Sequence, residues 1–344
     1  MTASATVRVM PADEIVARGG GETPFLRLPE RSTVFAERAM RLRQLAANHP
    51  MADYLGFVAE LALAQQRRLQ AVPQVALPDA DALDHAARAG QPPLPAEAGP
   101  DPAWRGLLRE LLADLRQTAP AATQPALERL AAADDAFLDR QADALLSGVR
   151  DGLDLAAAPL VGAALQVLWT HQVCALQARA AEPAGGGLRA APFGRIDDKT
   201  VCPCCGSRPT ASITRSTNDL LGQRYLHCSL CSAQWHLVRV QCARCGSGSK
   251  VAYQSLAAAD ADDEDGASVA QSTVQAETCE ACGHYLKIVH GDRDPYGEAV
   301  ADDLASLTLD LLVAESGMRR HGINLMLLFG DAATGPPPDN PGRA

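Results

Sequence analysis

Apolar positions recur at helical spacing over the first half of the chain and break into short runs among turns and cysteines over the second. Phe35, Ala39, Leu42 and Ala46 step by four, three and four, which predicts a helix over 32–47 with one buried stripe. Asn48-His49-Pro50 ends it, because the residue before Pro disfavours the α region. Pro50 can open the next helix, where its missing N–H costs nothing; Tyr54, Val58, Leu61 and Gln65 share one side, with Leu55 and Ala62 beside them. Residues 72–101 are interrupted by Pro73, Pro78, Pro92, Pro93, Pro95 and Pro100 and read as a long connection. Asp101-Pro102 is a cap followed by a first-turn Pro, and Trp104, Leu108, Leu111 and Leu115 form the stripe of the helix it opens. One or two helices follow between Pro125 and Val149. A strongly apolar helix then runs from about Leu155 to Ala180, with Val161, Leu165, Leu168, Gln172 and Leu176 on one face and Trp169 and Val173 adjacent. Such stripes must bury against each other, so 31–180 reads as an α-helical domain behind a flexible arm, 1–30.

The Pro- and Gly-rich run 181–187 marks a domain boundary. Beyond it the pattern is one of short strands and turns, until Asp294-Pro295 opens another helix. Val300, Leu304, Leu307 and Leu311 are its stripe, and it ends near Gly317. A closing region, 293–330, thus holds this helix and the apolar strip Leu325-Met326-Leu327-Leu328-Phe329; the Pro-rich tail 331–344 reads as disordered.

Charge narrows the partners. The 344 residues carry a formal net charge of −10, a poor match for nucleic acid, whose phosphates are neutralised by Lys and Arg. The balance is uneven: 201–255 holds Arg208, Arg215, Arg224, Arg239, Arg244 and Lys250 against a single acid, Asp219. A zinc ribbon using those bases on nucleic acid is therefore the competing binding-module reading. Asp260, Asp262, Asp263, Glu264 and Asp265 form a self-repelling run, read as a solvated loop insertion over 258–266. It lacks the spacing of a calcium loop. No basic segment followed by an apolar core opens the chain, and no stretch approaches the ~18–20 uninterrupted apolar residues of a membrane span. The expectation is a cytoplasmic, reduced protein without membrane insertion.

The chemistry lies in the cysteines. Eight of the ten form C-x-x-C pairs: Cys202/Cys205, Cys228/Cys231, Cys242/Cys245 and Cys279/Cys282. One such pair puts two sulfurs on one metal from a tight turn, and two pairs complete a tetrahedral shell, so four pairs make two sites. Gly206 and Gly246 follow the second Cys of the first and third pairs, where the chain tolerates positive φ. Disulfides would need an oxidising compartment. The spacers favour tandem use: 22 residues separate Cys205 from Cys228, 10 separate Cys231 from Cys242, and 33 separate Cys245 from Cys279. First with second and third with fourth is the expected pairing, with first with third as the crossed alternative. The modules fall at 188–240 and 241–292. An all-thiolate site leaves no open position for hydrolytic catalysis and suits iron, in the rubredoxin manner, or zinc.

The remaining candidates carry less. Cys204 is a surplus thiol inside the first knuckle, read as a spectator. Cys174 reads as a small buried hydrophobe. His227, His236 and His284 lie near the cysteines as outer donors or surface groups, and Trp235 is expected beneath the first module. Asp302 and Asp303 point about 100° apart on a helix and read as a solvated face. No G-x-S-x-G, H-E-x-x-H or P-loop occurs, so the chain is not expected to be an enzyme.

Four strings acting together carry a family resemblance: CPCCGSRP (202–209), RYLHCSLCSAQWHLVRVQCARCG (224–246), CEACGHYLK (279–287) and DPYGEAVADDLASLTLDLLVAESGMRRHGIN (294–324). With VFAERAMRLRQLAANHPMADYLGFVAELALAQQ (34–66), they resemble the formate dehydrogenase accessory protein family (FdhE) over most of 31–328. The resemblance implies a cytoplasmic maturation factor that binds the molybdenum-containing catalytic subunit of a formate dehydrogenase before export. It implies rubredoxin-like iron modules beside a helical domain, with the eight paired cysteines as ligands. If the metal is iron, a redox role or a rubredoxin-type electron carrier also becomes an expectation. Cys204 and the acidic expansion depart from the pattern without breaking a pair. The fold class expected is α+β: an N-terminal α-helical domain, two tandem small β-rich rubredoxin-like or zinc-ribbon metal modules, and a closing C-terminal helix.

Overall fold

The computed structural model describes residues 23–149, 151–216, 222–256 and 272–327. Residues 1–22 of the expected arm, the acidic insertion 258–266, the end of the apolar strip and the tail 331–344 lie outside them. The first half holds α1 (Val34–Ala46), α2 (Ala52–Gln70), α3 (Ala80–Arg88), α4 (Trp104–Leu115), α5 (Gln124–Ala132), α6 (Asp135–Ser147) and α7 (Ala158–Ala180). The stripes face inward as their spacing requires: Phe35, Ala39 and Leu42 on α1, and Trp104, Leu108, Leu111 and Leu115 on α4, are all buried. Each fully buried Leu contributes roughly 1.5–3 kcal/mol.

Helix α7 is different, because it is apolar all round. Its 23 residues are long and apolar enough to cross a membrane by length and composition, yet most of them are buried within the protein, with α2, α4 and α6 packed on it. It is the central rod of the bundle, and its polar residues are used internally. Gln65 Nε2 on α2 donates to Gln166 Oε1 at 2.9 Å and to the Ala163 carbonyl at 3.0 Å. Cys174 is 7% exposed on the same helix, and burial pushes its thiol up to about 11, which fits an inert packing role.

The second half forms one sheet. Its strands are β1 (Leu26–Arg27), β2 (Pro209–Arg215), β3 (Gln223–Cys228), β4 (Gln234–His236), β5 (Val251–Gln254), β6 (Val274–Cys279), β7 (His284–Val289) and β8 (Arg319–Arg320). They lie in the order β1-β4-β3-β2-β7-β6-β5, with β8 also on β7. Two antiparallel meanders, β2–β3–β4 and β5–β6–β7, are joined by a parallel pairing of Ser212 with Ile288 and Ile213 with Val289. The two cysteine modules therefore share a continuous sheet.

A buried ion pair ties the meanders together again. Arg224 Nη2 on β3 lies 2.7 Å from Glu277 Oε2 on β6, with side chains 1% and 4% exposed. Ser212 Oγ also donates to Glu277. Arg224 thus leaves the expected basic patch. Arg208, Arg239, Arg244 and Lys250 are exposed and Arg215 is half-buried.

Several local expectations are corrected. Residues 23–30, assigned to a flexible arm, supply edge strand β1, which pairs Leu26 with Trp235 and covers β4. The connection 72–101 contains α3, capped by Asp79, whose carboxylate accepts from the Ala82 N–H at 2.8 Å; it buries only Leu83, so its stripe is too thin to read. The C-terminal helix is two short ones, α8 (Ala299–Ala305) and α9 (Leu307–Glu315). Ser306 breaks it at φ −112°, ψ 37°, its hydroxyl donating to the Asp302 carbonyl at 2.7 Å. The break re-aims α9, so Leu309 and Val313 go inward and Leu311 is 67% exposed.

Asp302 and Asp303 are not a solvated face. They are 2% and 0% exposed. Asp302 pairs with Arg41 at 2.6 Å. Asp303 holds Arg320 at 2.6 Å and Lys287 at 3.1 Å and accepts from Asn324 at 2.9 Å. Burial is offset there by the neighbouring cations, which hold Asp303 below the ordinary carboxylate range.

Candidate metal centres

Each C-x-x-C pair sits on a tight turn closed by a residue in the left-handed region. The closers are Gly206 (φ 75°), Ser232 (60°), Gly246 (69°) and Gly283 (66°). Gly283 was visible in the sequence as a third Gly-closed knuckle; Ser232 was not, because a non-Gly residue gives no such signal. The turns repeat one hydrogen-bond pattern: the N–H of Gly206, Gly246 and Gly283 donates to the carbonyl of Cys202, Cys242 and Cys279 at 2.8, 3.0 and 2.9 Å.

Strand pairing then brings the turns together two by two. The sulfurs of Cys202, Cys205, Cys228 and Cys231 lie within 4.8 Å of one another, as do those of Cys242, Cys245, Cys279 and Cys282. First meets second and third meets fourth; the crossed alternative is not what the fold builds. Cys202 and Cys231 sulfurs are 3.5 Å apart and Cys205 and Cys228 3.4 Å. In the second cluster Cys242–Cys282 and Cys245–Cys279 are both 3.8 Å. A tetrahedral shell with metal–sulfur bonds of about 2.3 Å has sulfur–sulfur edges of about 3.8 Å. The spacing fits that shell and is far beyond a covalent S–S bond of about 2 Å.

The surroundings also favour a cation. Burial pushes the Cys202, Cys228 and Cys231 thiols well above their ordinary range, and that of Cys242 up to about 12. At Cys205 burial is outweighed by hydrogen bonds from the neighbouring thiols, which lower it, as the Ser247 N–H does first for Cys245; further thiolates in so tight a cluster are stabilised by a positive ion. Backbone N–H groups already point at the sulfurs: Cys204 N to Cys202 Sγ at 3.4 Å, Leu230 N to Cys228 Sγ at 3.3 Å, and Arg244 N to Cys242 Sγ at 3.4 Å. Two four-cysteine clusters of this kind suggest two metal-binding sites.

The order of these parts along the chain matches one family throughout. The FdhE N-terminal model matches residues 23–186, the FdhE central domain 201–239 and the FdhE C-terminal domain 240–327. The chain belongs to the FdhE family. A Pseudomonas aeruginosa FdhE homologue is 40% identical over 308 residues, 89% of this chain and 94% of that one. An Edwardsiella ictaluri homologue is 37% identical, covering 95% of this chain and all of that one. Escherichia coli FdhE is 34% identical over 95% of this chain and 99% of its own length. The crystal structure of the FdhE protein from Pseudomonas aeruginosa matches with a TM-score of 0.75 at 39% identity, covering 90% of this chain and all of that one.

Within this FdhE fold the lesser candidates find definite places. Cys204 is fully buried and outside the four-sulfur cluster; its carbonyl accepts from the Leu94 N–H at 3.0 Å. None of His227, His236 and His284 joins a cluster among the described residues. His227 lies buried on β3, and burial lowers it to about 4, so it is neutral at pH 7. His284 Nδ1 is 2.7 Å from the Cys282 carbonyl, an outer contact to the second centre. Trp235 is 1% exposed, its indole N–H donating to the Lys199 carbonyl at 3.0 Å.

Sequence reasoning missed the residues that seat the first centre. Gln166 Nε2 of the central helix donates to the carbonyl of Ser229, inside the second knuckle, at 2.8 Å. Arg38 reaches Ser232 Oγ at 3.4 Å and pairs with Glu298 at 3.2 Å. The Ala96 N–H meets the Cys205 carbonyl at 2.9 Å. A Gln on an apolar face was the only signal available for any of them.

Proposed function

We propose that this chain is an accessory factor that a formate dehydrogenase needs in order to mature, and that it acts in the cytoplasm by binding the immature molybdenum-containing catalytic subunit, without catalysing a reaction. The observation that carries the reading is the succession of three FdhE models, in order, over 23–186, 201–239 and 240–327. In this reading Cys202, Cys205, Cys228 and Cys231 ligate one ion, and Cys242, Cys245, Cys279 and Cys282 a second. The ions hold the knuckles in register, since metal binding to such sites is itself folding free energy. Iron in the rubredoxin manner is the proposed metal and zinc the alternative, because a soft four-sulfur tetrahedron accepts both. An iron protein is coloured and reversibly bleached by a reductant; a zinc protein is colourless.

The test is anaerobic affinity purification from cells growing by formate respiration, with co-purifying proteins identified by mass spectrometry. The expected result is enrichment of a formate dehydrogenase catalytic subunit, lost when Cys228→Ser and Cys231→Ser are combined. Recovery of ribosomes or nucleic-acid enzymes in its place would overturn the reading in favour of the zinc-ribbon alternative.

A further inference from the structure

The two clusters share donors, spacing and turn geometry, and differ in what surrounds them. Cys202, Cys205, Cys228 and Cys231 are at most 1% exposed and belong to the same apolar core as the helical bundle. Their knuckles are pinned from outside the module, by Leu94, Ala96, Gln166 and Arg38. A cavity of about 790 Å³ reaches the Cys205 turn between the bundle and the sheet, yet all four sulfurs stay out of solvent behind it. In the second cluster Cys245 is exposed and Cys282 half-buried, with Cys242 and Cys279 behind them. Its turns are held from within the module and from β8: the Gln241 side chain donates to the Gly246 carbonyl at 3.0 Å, and the Arg319 N–H to the Gly283 carbonyl at 2.9 Å.

We propose that the second centre is an exchangeable metal site, where a low-molecular-weight thiol takes or delivers the ion, and that the first centre is locked. The inference rests on the metal reading given above. With an ion held there, Cys245 Sγ would be the first ligand to give up its place to the incoming thiol's sulfur, and the thiol's proton would pass to the released Cys245 sulfur. No electrons change hands. Cys282 is the next ligand within reach. The opening at the exposed Cys245 turn is local, and it disturbs fewer buried contacts than any opening at the first cluster, whose sulfurs lie in the core.

The experiment uses the full chain loaded anaerobically with two equivalents of zinc, then treated with dithiothreitol and a chromogenic zinc chelator. N-ethylmaleimide pulses and peptide mapping report which cysteines are released. Zinc is expected to leave in two phases of one equivalent each, at least about tenfold apart in rate. Cys242, Cys245, Cys279 and Cys282 should be labelled in the fast phase and Cys202, Cys205, Cys228 and Cys231 only in the slow one. Cys245→Ser should hasten the fast phase and leave the slow equivalent bound. Two equivalents leaving together, or Cys228 labelled as early as Cys245, would overturn the exchange proposal alone. Failure to bind two equivalents at all would overturn the metal reading with it.

Discussion

Glu277→Ala removes the carboxylate that Arg224 meets at 2.7 Å between the two meanders, at a site where the side chains are 1% and 4% exposed. The guanidinium keeps two carbonyl acceptors, Gln241 at 2.9 Å and Val238 at 3.3 Å, but loses its counter-charge. Tyr253 and Ser212 lose an acceptor with it. Breaking a buried pair from one side costs about 3–5 kcal/mol, because the surviving charge stays desolvated. Against a typical stability of roughly 5–15 kcal/mol that is a large fraction. Replacing both partners, Arg224→Met with Glu277→Leu, removes the stranded charge and should be clearly less damaging than Glu277→Ala alone. The assay is urea unfolding followed by far-UV circular dichroism, with metal content fixed by native mass spectrometry so that all variants start from the same loaded state. A loss below about 1 kcal/mol for Glu277→Ala, or a double variant worse than the single, would refute the argument that this pair is a desolvated junction of the modules.

Other expectations follow from particular residues. Gly246→Ala forces a Cβ onto φ 69° and should cost about 1–2 kcal/mol in the same unfolding assay, whereas a surface Gly→Ala substitution at negative φ should not. Leu165→Ala, fully buried on α7, should cost about 2–5 kcal/mol, while Leu311→Ala, 67% exposed, should stay within about 0.5 kcal/mol. Burial lowers His321 from 6.5 to about 4. The unfolded chain therefore takes up the proton first as pH falls, so the stability this residue contributes is present above about 6.5 and is lost on acidification towards 4. Urea midpoints measured from pH 7 to about 4.5 should fall less steeply for His321→Gln than for the parent chain, the metal sites being common to both.

How much was legible follows the range of each interaction. The helix stripes and the knuckles are local: a stretch of two turns defines Phe35-Ala39-Leu42, and a single tight turn defines each C-x-x-C pair. The pairing of turns needed only spacer lengths of 22, 10 and 33 residues. Asp302 and Asp303 misled because their partners are remote. Arg41 lies 261 residues away from Asp302, and Lys287 and Arg320 reach Asp303 from separate strands, so a buried ion network looks in sequence like an ordinary solvated face. Arg224 misled for the same reason. Ser306 broke a helix that its apolar spacing carried through, because a hydroxyl bonding back into the turn competes locally with the helix without altering the pattern.

The joining of the modules was the least legible feature, and it matters most for how the centres differ. A three-stranded meander around four cysteines has little apolar mass, so each module needs something to pack on. The parallel pairing of β2 with β7 puts them in one sheet, and the bundle can then cover only one end of it closely. The first module takes that place: Leu226, Leu230, Trp235 and its four ligands join the core of α7. The second is covered on one side by α9, through Leu309 and Val313 against Ala276 and Tyr285, and keeps the Cys245 turn in solvent. Near-identical turns thus end in unlike dielectric and unlike accessibility. The difference between the centres follows where the bundle lies, and the residues inside the motifs agree with it: Cys204 and Leu230 are buried in the first module, whereas Arg244 and Glu280 are exposed in the second.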